Sequence, residues 1–108
     1  MRNVFITLLV VIAATGAHAA EMYTGVITDT MCGSKPHTMM KDHTPPECVR
    51  MCIKGPYVYA LFDGATVMKL SDQKTSAKYA ARRVKVTGTY DEKSKTIKVA
   101  SIEPLEDN

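Results

Sequence analysis

No stretch of this 108-residue chain is apolar for long enough to cross a bilayer. The longest run, 4–14, falls short of the ~20 residues a spanning helix needs, and no second one follows. Several chemical signatures are missing as well: G-x-S-x-G, H-E-x-x-H, the P-loop and C-x-x-C-H are all absent. Hydrolase, zinc-protease, nucleotide-binding and c-type haem chemistry therefore have no motif behind them, and a binding domain is expected before an enzyme. Charge of one sign is scarce too. The formal net charge of +3 is too weak to recruit a polyanion, so no nucleic-acid partner is expected.

The short apolar run has its own meaning. Arg2 precedes it and Ala17-His18-Ala19 follows it, which is the n-region, h-region and small-x-small cleavage order of a secretory signal peptide. The expectation is a signal over 1–19, a single domain over 20–108, and a bacterial product that is periplasmic or secreted with no membrane span. No cysteine stands at the end of the signal to accept a lipid.

A domain this short buries a small core, for which a staple is useful. Three cysteines are available, and in an oxidising compartment thiols pair unless a metal or a reductant holds them. The odd number leaves three arrangements: one disulfide with one thiol over, three thiolate ligands, or a bridge between two chains.

Along the mature chain, 22–28 is rich in β-branched and aromatic residues and reads as a first strand, with Gly25 marking a bulge. The segment 29–54 has no alternation and reads as an excursion from the sheet. Near its end Thr44-Pro45-Pro46-Glu47 forms a capping box, which predicts a short helix over 45–54 closed by Gly55 and Pro56. Residues 57–62 read as a second strand, and Asp63-Gly64 turns the chain into a third over 66–70. Ser71 is expected to cap a helix over 72–80. A fourth strand, 83–90, alternates with Val84, Val86 and Tyr90 on one face. In the last strand, 96–103, the apolar parity changes between Val99 and Ile102, which predicts a bulge near Ala100 and Ser101. Five strands and two short helices, with one helix between the third and fourth strands, is the order of a five-stranded OB-like barrel, here with a Cys/His-rich excursion after strand 1. The alternative is an open α+β roll with the same elements.

All three cysteines and both mature histidines fall in the excursion: Cys32, His37, His43, Cys48 and Cys52, with Met31, Met39, Met40 and Met51 among them. Cys48 and Cys52 stand four apart on the predicted helix, so both sulfurs project from one face, one turn apart. With Cys32 and His37 they would make a Cys3His set suited to Zn²⁺, and the methionine thioethers would shift the preference toward Cu⁺. A second reading pairs Cys32 with Cys48 or Cys52 in a disulfide contributing roughly 2 to 4 kcal/mol. A third is a redox-active thiol, which lacks the C-x-x-C spacing of thioredoxin-like motifs. Elsewhere, Tyr57, Tyr59, Arg83 and Lys85 make a candidate ligand face for a cell-envelope protein or a glycan, against the plainer reading of a solvated strand face.

The stretches Gly25-Val26-Ile27-Thr28-Asp29-Thr30-Met31-Cys32-Gly33, Cys48-x-x-x-Cys52 with Lys54-Gly55 and Tyr57-Val58, and Arg83-Val84-Lys85-Val86-Thr87-Gly88-Thr89 together resemble a group of small exported bacterial proteins of unknown function. The resemblance spans nearly the whole mature chain. It implies an exported single-domain OB-like barrel and a site formed by Cys32, Cys48, Cys52 and His37. It implies no activity.

Overall fold

Asp63 and Gly64 set the first sheet corner. Gly64 adopts φ +102, and the Asp63 carboxylate accepts hydrogen bonds from the amides of Ala65 and Thr66 at 2.8 and 2.7 Å. That turn reverses the chain between β2 (Tyr59–Phe62) and β3 (Val67–Leu70). The computed structural model describes residues 20–34 and 44–105. Its other elements are β1 (Glu21–Asp29), α1 (Pro45–Met51), α2 (Gln73–Lys78), β4 (Arg83–Asp91) and β5 (Thr96–Pro104).

The five strands form one sheet in the order β1-β2-β3-β5-β4, and β4 pairs back onto β1, so the sheet is a closed ring. Every contact is antiparallel except β3 with β5, which is parallel through Lys69↔Thr96 and Leu70↔Ile97. Among the described residues each of the five strands therefore has a neighbour on both sides.

β1 serves two neighbours, β4 over its first part and β2 over its second. Gly25 stands near the handover. A Cβ there would lie 2.3 Å from the Phe62 carbonyl oxygen, so only glycine lets the backbones approach. The registers on either side run without a break, so Gly25 marks a close approach and not the expected bulge. The bulge expected near Ala100 is present. Thr87 pairs with Ser101 and Gly88 with Val99, which leaves Ala100 as the extra residue.

The core lies inside the ring. Ile27, Leu61, Val84, Val86 and Ile97 are fully buried, and Val49 from α1 and Ala80 from the end of the α2 segment close over them. Each such aliphatic side chain contributes about 1.5 to 3 kcal/mol by leaving water.

Most boundaries shift by a residue or two from the sequence reading, and three of the shifts have a visible cause. α1 stops at Met51 because the chain tightens into three-residue turns, with the amide of Ile53 on the carbonyl of Arg50 and that of Tyr57 on Lys54. β2 begins at Tyr59, since Val58 bonds instead to Thr30 through both its amide and its carbonyl. α2 is capped by Asp72 and not by Ser71, whose hydroxyl is engaged by the amide of Val99 at 2.8 Å.

Candidate metal centre

The site begins where β1 ends. Asp29 is fully buried and folds its carboxylate over the next turn, accepting a hydrogen bond from the Cys32 amide at 2.7 Å. Its carbonyl takes the Gly33 amide at 2.8 Å, and the Thr28 hydroxyl donates to the Gly33 carbonyl at 2.8 Å. Gly33 closes the turn at φ +59, in the left-handed region. Residues 28–33 thus form a short, internally bonded loop that presents Cys32 in a fixed direction.

The opposite side comes from α1. Thr44 caps it by accepting from the Glu47 amide, and Pro45 occupies the first helical position. Val49 is fully buried and anchors the helix, while Arg50 reaches across to donate to the Ala77 carbonyl. At the C-terminal end Cys52 is the capping residue, half-buried, with its amide on the carbonyls of Cys48 and Val49.

These two elements bring the Cys32 and Cys52 sulfurs to 3.6 Å. The ligand atoms of Asp29, Cys32 and Cys52 all lie within 4.8 Å of one another, a group that can hold a metal ion. Zn–S bonds of about 2.3 Å at a tetrahedral angle separate two sulfurs by roughly 3.8 Å, so one ion fits both thiols with little movement.

Cys48 is buried one turn before Cys52 on α1, but lies outside the set of three. The cysteines are thiols in this structure. Burial, first of all, raises the Cys48 pKa, with the neighbouring Cys32 adding to it. Cys52 is pushed up to about 12 by burial first, then by its hydrogen bond to Cys32 and by the Asp29 carboxylate. Both effects favour the neutral thiol over a nucleophilic thiolate, which weighs against a redox nucleophile at either position.

Of the expected site residues, Cys32 and Cys52 come together and Cys48 lies next to them. His37, His43, Met39 and Met40 fall outside the described residues. Met31 and Met51, beside the two converging cysteines, are exposed. Asp29 is not among the ligands expected from the sequence, yet it belongs to the group that could hold an ion. Its signal was the D-x-x-C spacing at a strand end, where an Asp side chain bonds the amide three residues on.

The other candidate face does not assemble as expected. Tyr59 is 7 % exposed and belongs to the core, with its amide and carbonyl both bonded to Gln73. Alternation had two apolar faces to choose from on this strand, and the phenol went inward. Tyr57 is exposed but precedes the strand, Arg83 is exposed at the start of β4, and Lys85 is ion-paired with Glu103 at 3.4 Å.

The ring fold and the Cys/Asp group define the class, a small β domain with a potential metal site. No helix among the described residues is long and apolar enough to cross a membrane. Beyond the class, comparison with protein-family models, curated proteins and solved structures finds no match.

Proposed function

We propose that the chain is an exported bacterial OB-like barrel that binds a soft divalent metal ion, Zn²⁺ first, through Cys32, Cys52 and Asp29. The convergence of those three ligand atoms within 4.8 Å carries the reading. Cys48, one turn before Cys52, is the described side chain that would add a fourth ligand, and His37, outside the described residues, is the sequence's other candidate. The carboxylate oxygen weighs against Cu⁺, which favours sulfur donors throughout, whereas Zn²⁺ takes sulfur, nitrogen and oxygen together. The OB-like part rests on the strand order, the single parallel contact between β3 and β5 and the helix between β3 and β4. The exported part rests on the signal pattern over 1–19.

A second reading shares one observation. The 3.6 Å contact also suits a Cys32–Cys52 disulfide that staples α1 to the end of β1, in a barrel that binds a protein or a glycan without metal. A single preparation separates the two. The chain purified from a bacterial periplasm without chelator is weighed under native and denaturing conditions, then alkylated. One zinc lost on denaturation, with three cysteines alkylated afterwards, is the expected result. A metal-free mass two hydrogens light, with one cysteine alkylated, overturns it in favour of the staple. Native alkylation at neutral pH adds a check on the redox reading: Cys48, buried, and Cys52, half-buried, should react far more slowly than in the unfolded chain, because both are held as neutral thiols.

A further inference from the structure

The end of the ring marked by the start of β1 and the β4–β5 turn carries a second feature. Tyr23 alternates with Gly25 and Ile27 along β1, and Tyr90 with Gly88, Val86 and Val84 along β4, so both aromatic side chains lie on the interior side. Both are half-buried and pack against the core. Above them opens a cleft of about 790 Å³, rimmed by Glu21, Glu92, Lys93 and Lys98. This is within the ordinary range for small-molecule sites, which favour the mouths of β-barrels.

The chemistry of the lining narrows the ligand. The Tyr23 hydroxyl donates to the Glu21 carboxylate at 3.2 Å, which fixes that acid at the rim. Burial, then this hydrogen bond, raises the Tyr23 pKa and keeps it a phenol. Tyr90 makes no side-chain hydrogen bond among the described residues, so its hydroxyl is left to a ligand. Three carboxylates, those of Glu21, Asp91 and Glu92, face two lysines, a balance that disfavours phosphate-rich ligands. Two phenol rings with carboxylates above them suit a sugar, whose C–H face packs on an aromatic ring while its hydroxyls donate to acids.

We propose that this mouth, where Glu21, Tyr23 and Tyr90 converge beneath the β4–β5 turn, binds a short neutral saccharide. The site is separate from the Tyr57 and Arg83 surface, and it does not depend on the metal reading, because none of its residues touches the cysteines.

The test is titration of the full chain, as processed by its host, with cellobiose, maltose and chitobiose, followed by backbone amide shifts and run with and without Zn²⁺. The expected result is saturable shifts in the first residues of β1 and in the β4–β5 turn for at least one disaccharide, whether or not zinc is present. Glu21→Gln should weaken binding by about fivefold and Tyr90→Phe by about threefold, as expected for single hydrogen bonds. Tyr90→Ala should weaken it by tenfold or more, while Tyr57→Ala should change nothing. Because Tyr90→Ala removes packing, the conservative Tyr90→Phe and the exposed Glu21→Gln decide the matter if the alanine variant unfolds. No saturable shift with any of the three sugars overturns the proposal, as do shifts centred on Tyr57 and Arg83. Tighter binding of spermidine at the same amides overturns the ligand class and makes the mouth a cation site.

Discussion

The two helices are nearly equal in length, seven residues for α1 and six for α2, yet they are fastened to the ring by opposite means. α2 is sewn on by polar bonds. The Gln73 side-chain amide donates to the carbonyls of Tyr59 and Leu70 and accepts from the Tyr59 amide, while the buried Ser76 hydroxyl is satisfied inside the helix by the Asp72 carbonyl at 2.6 Å. α1 has one fully buried apolar anchor on the ring, Val49, together with its cysteines, and an exposed tether from Arg50 to the Ala77 carbonyl of α2. A helix fixed by directional bonds to strand backbone needs nothing more. A helix fixed by one aliphatic side chain gains most from a metal or a cross-link at its end, and Cys52 stands at that end.

The largest effect expected from that contrast is on metal binding. Cys52→Ser should weaken Zn²⁺ binding about a thousandfold, which corresponds to roughly 4 kcal/mol, and competition against a chromophoric chelator measures it. Zinc should also raise the Tm of the parent chain and leave that of Cys52→Ser unchanged, since stabilisation by a ligand follows its affinity for the folded state. Equal zinc affinity in parent and variant would remove the chemical distinction between the helices.

The second effect tests the polar seam. Gln73→Ala leaves the Tyr59 amide and two carbonyls without their partner and should cost about 2 to 3 kcal/mol in denaturant unfolding. It should leave zinc affinity unchanged. Val49→Ala removes about two methylene equivalents and should cost roughly 1.5 kcal/mol, less than Gln73→Ala, yet it should weaken zinc binding because α1 carries Cys52. If both variants lower zinc affinity alike, the Arg50–Ala77 bond between the helices couples them more strongly than their separate anchors hold them apart.

The same contrast marks how far the sequence could be read. The order of strands and helices was legible, because Val84 and Val86 alternate, Asp63-Gly64 signals a tight turn, and the parity change before Ile102 locates Ala100 as the bulged residue. The sequence reading leaves a barrel and an open roll side by side, and the parallel register Lys69↔Thr96 is what joins the third strand to the last. The cysteine pair was half legible. Spacing brought Cys48 and Cys52 to one helix face, but which of them meets Cys32 depends on how residues 28–33 fold back, a tertiary matter that no periodicity encodes. Asp29 is not legible as a ligand because a strand-terminal aspartate ordinarily reads as a turn residue. Tyr59 was misjudged because 57–62 is apolar on both faces, and Gln73, fourteen residues on, decides which part of it becomes strand.

The smallest effect concerns the caps. Thr44 accepts from Glu47 at 3.4 Å, a long bond, whereas Asp72 accepts from Thr75 at 2.9 Å and carries a charge. The Thr75 amide, above all, holds the Asp72 carboxyl below its ordinary pKa, so the folded state favours the ionised form. A lowered folded-state pKa gives stability that is fully present above the unfolded value of about 3.9 and is lost as pH falls through the folded one. Asp72→Ala should therefore cost about 1 kcal/mol at neutral pH, and progressively less below pH ~4, where the parent cap itself becomes protonated. Asp72→Asn separates the cap from the charge: it should keep most of the stability at neutral pH and flatten the acid dependence. Asp63, whose carboxyl is lowered by the Thr66 and Ala65 amides, titrates in the same direction, so some acid sensitivity should persist in Asp72→Asn and fall further when Asp63→Asn is added. Unfolding by urea between pH 2.5 and 7 measures all three, and a parent curve parallel to that of the double variant would show that neither carboxylate is stabilised by its turn.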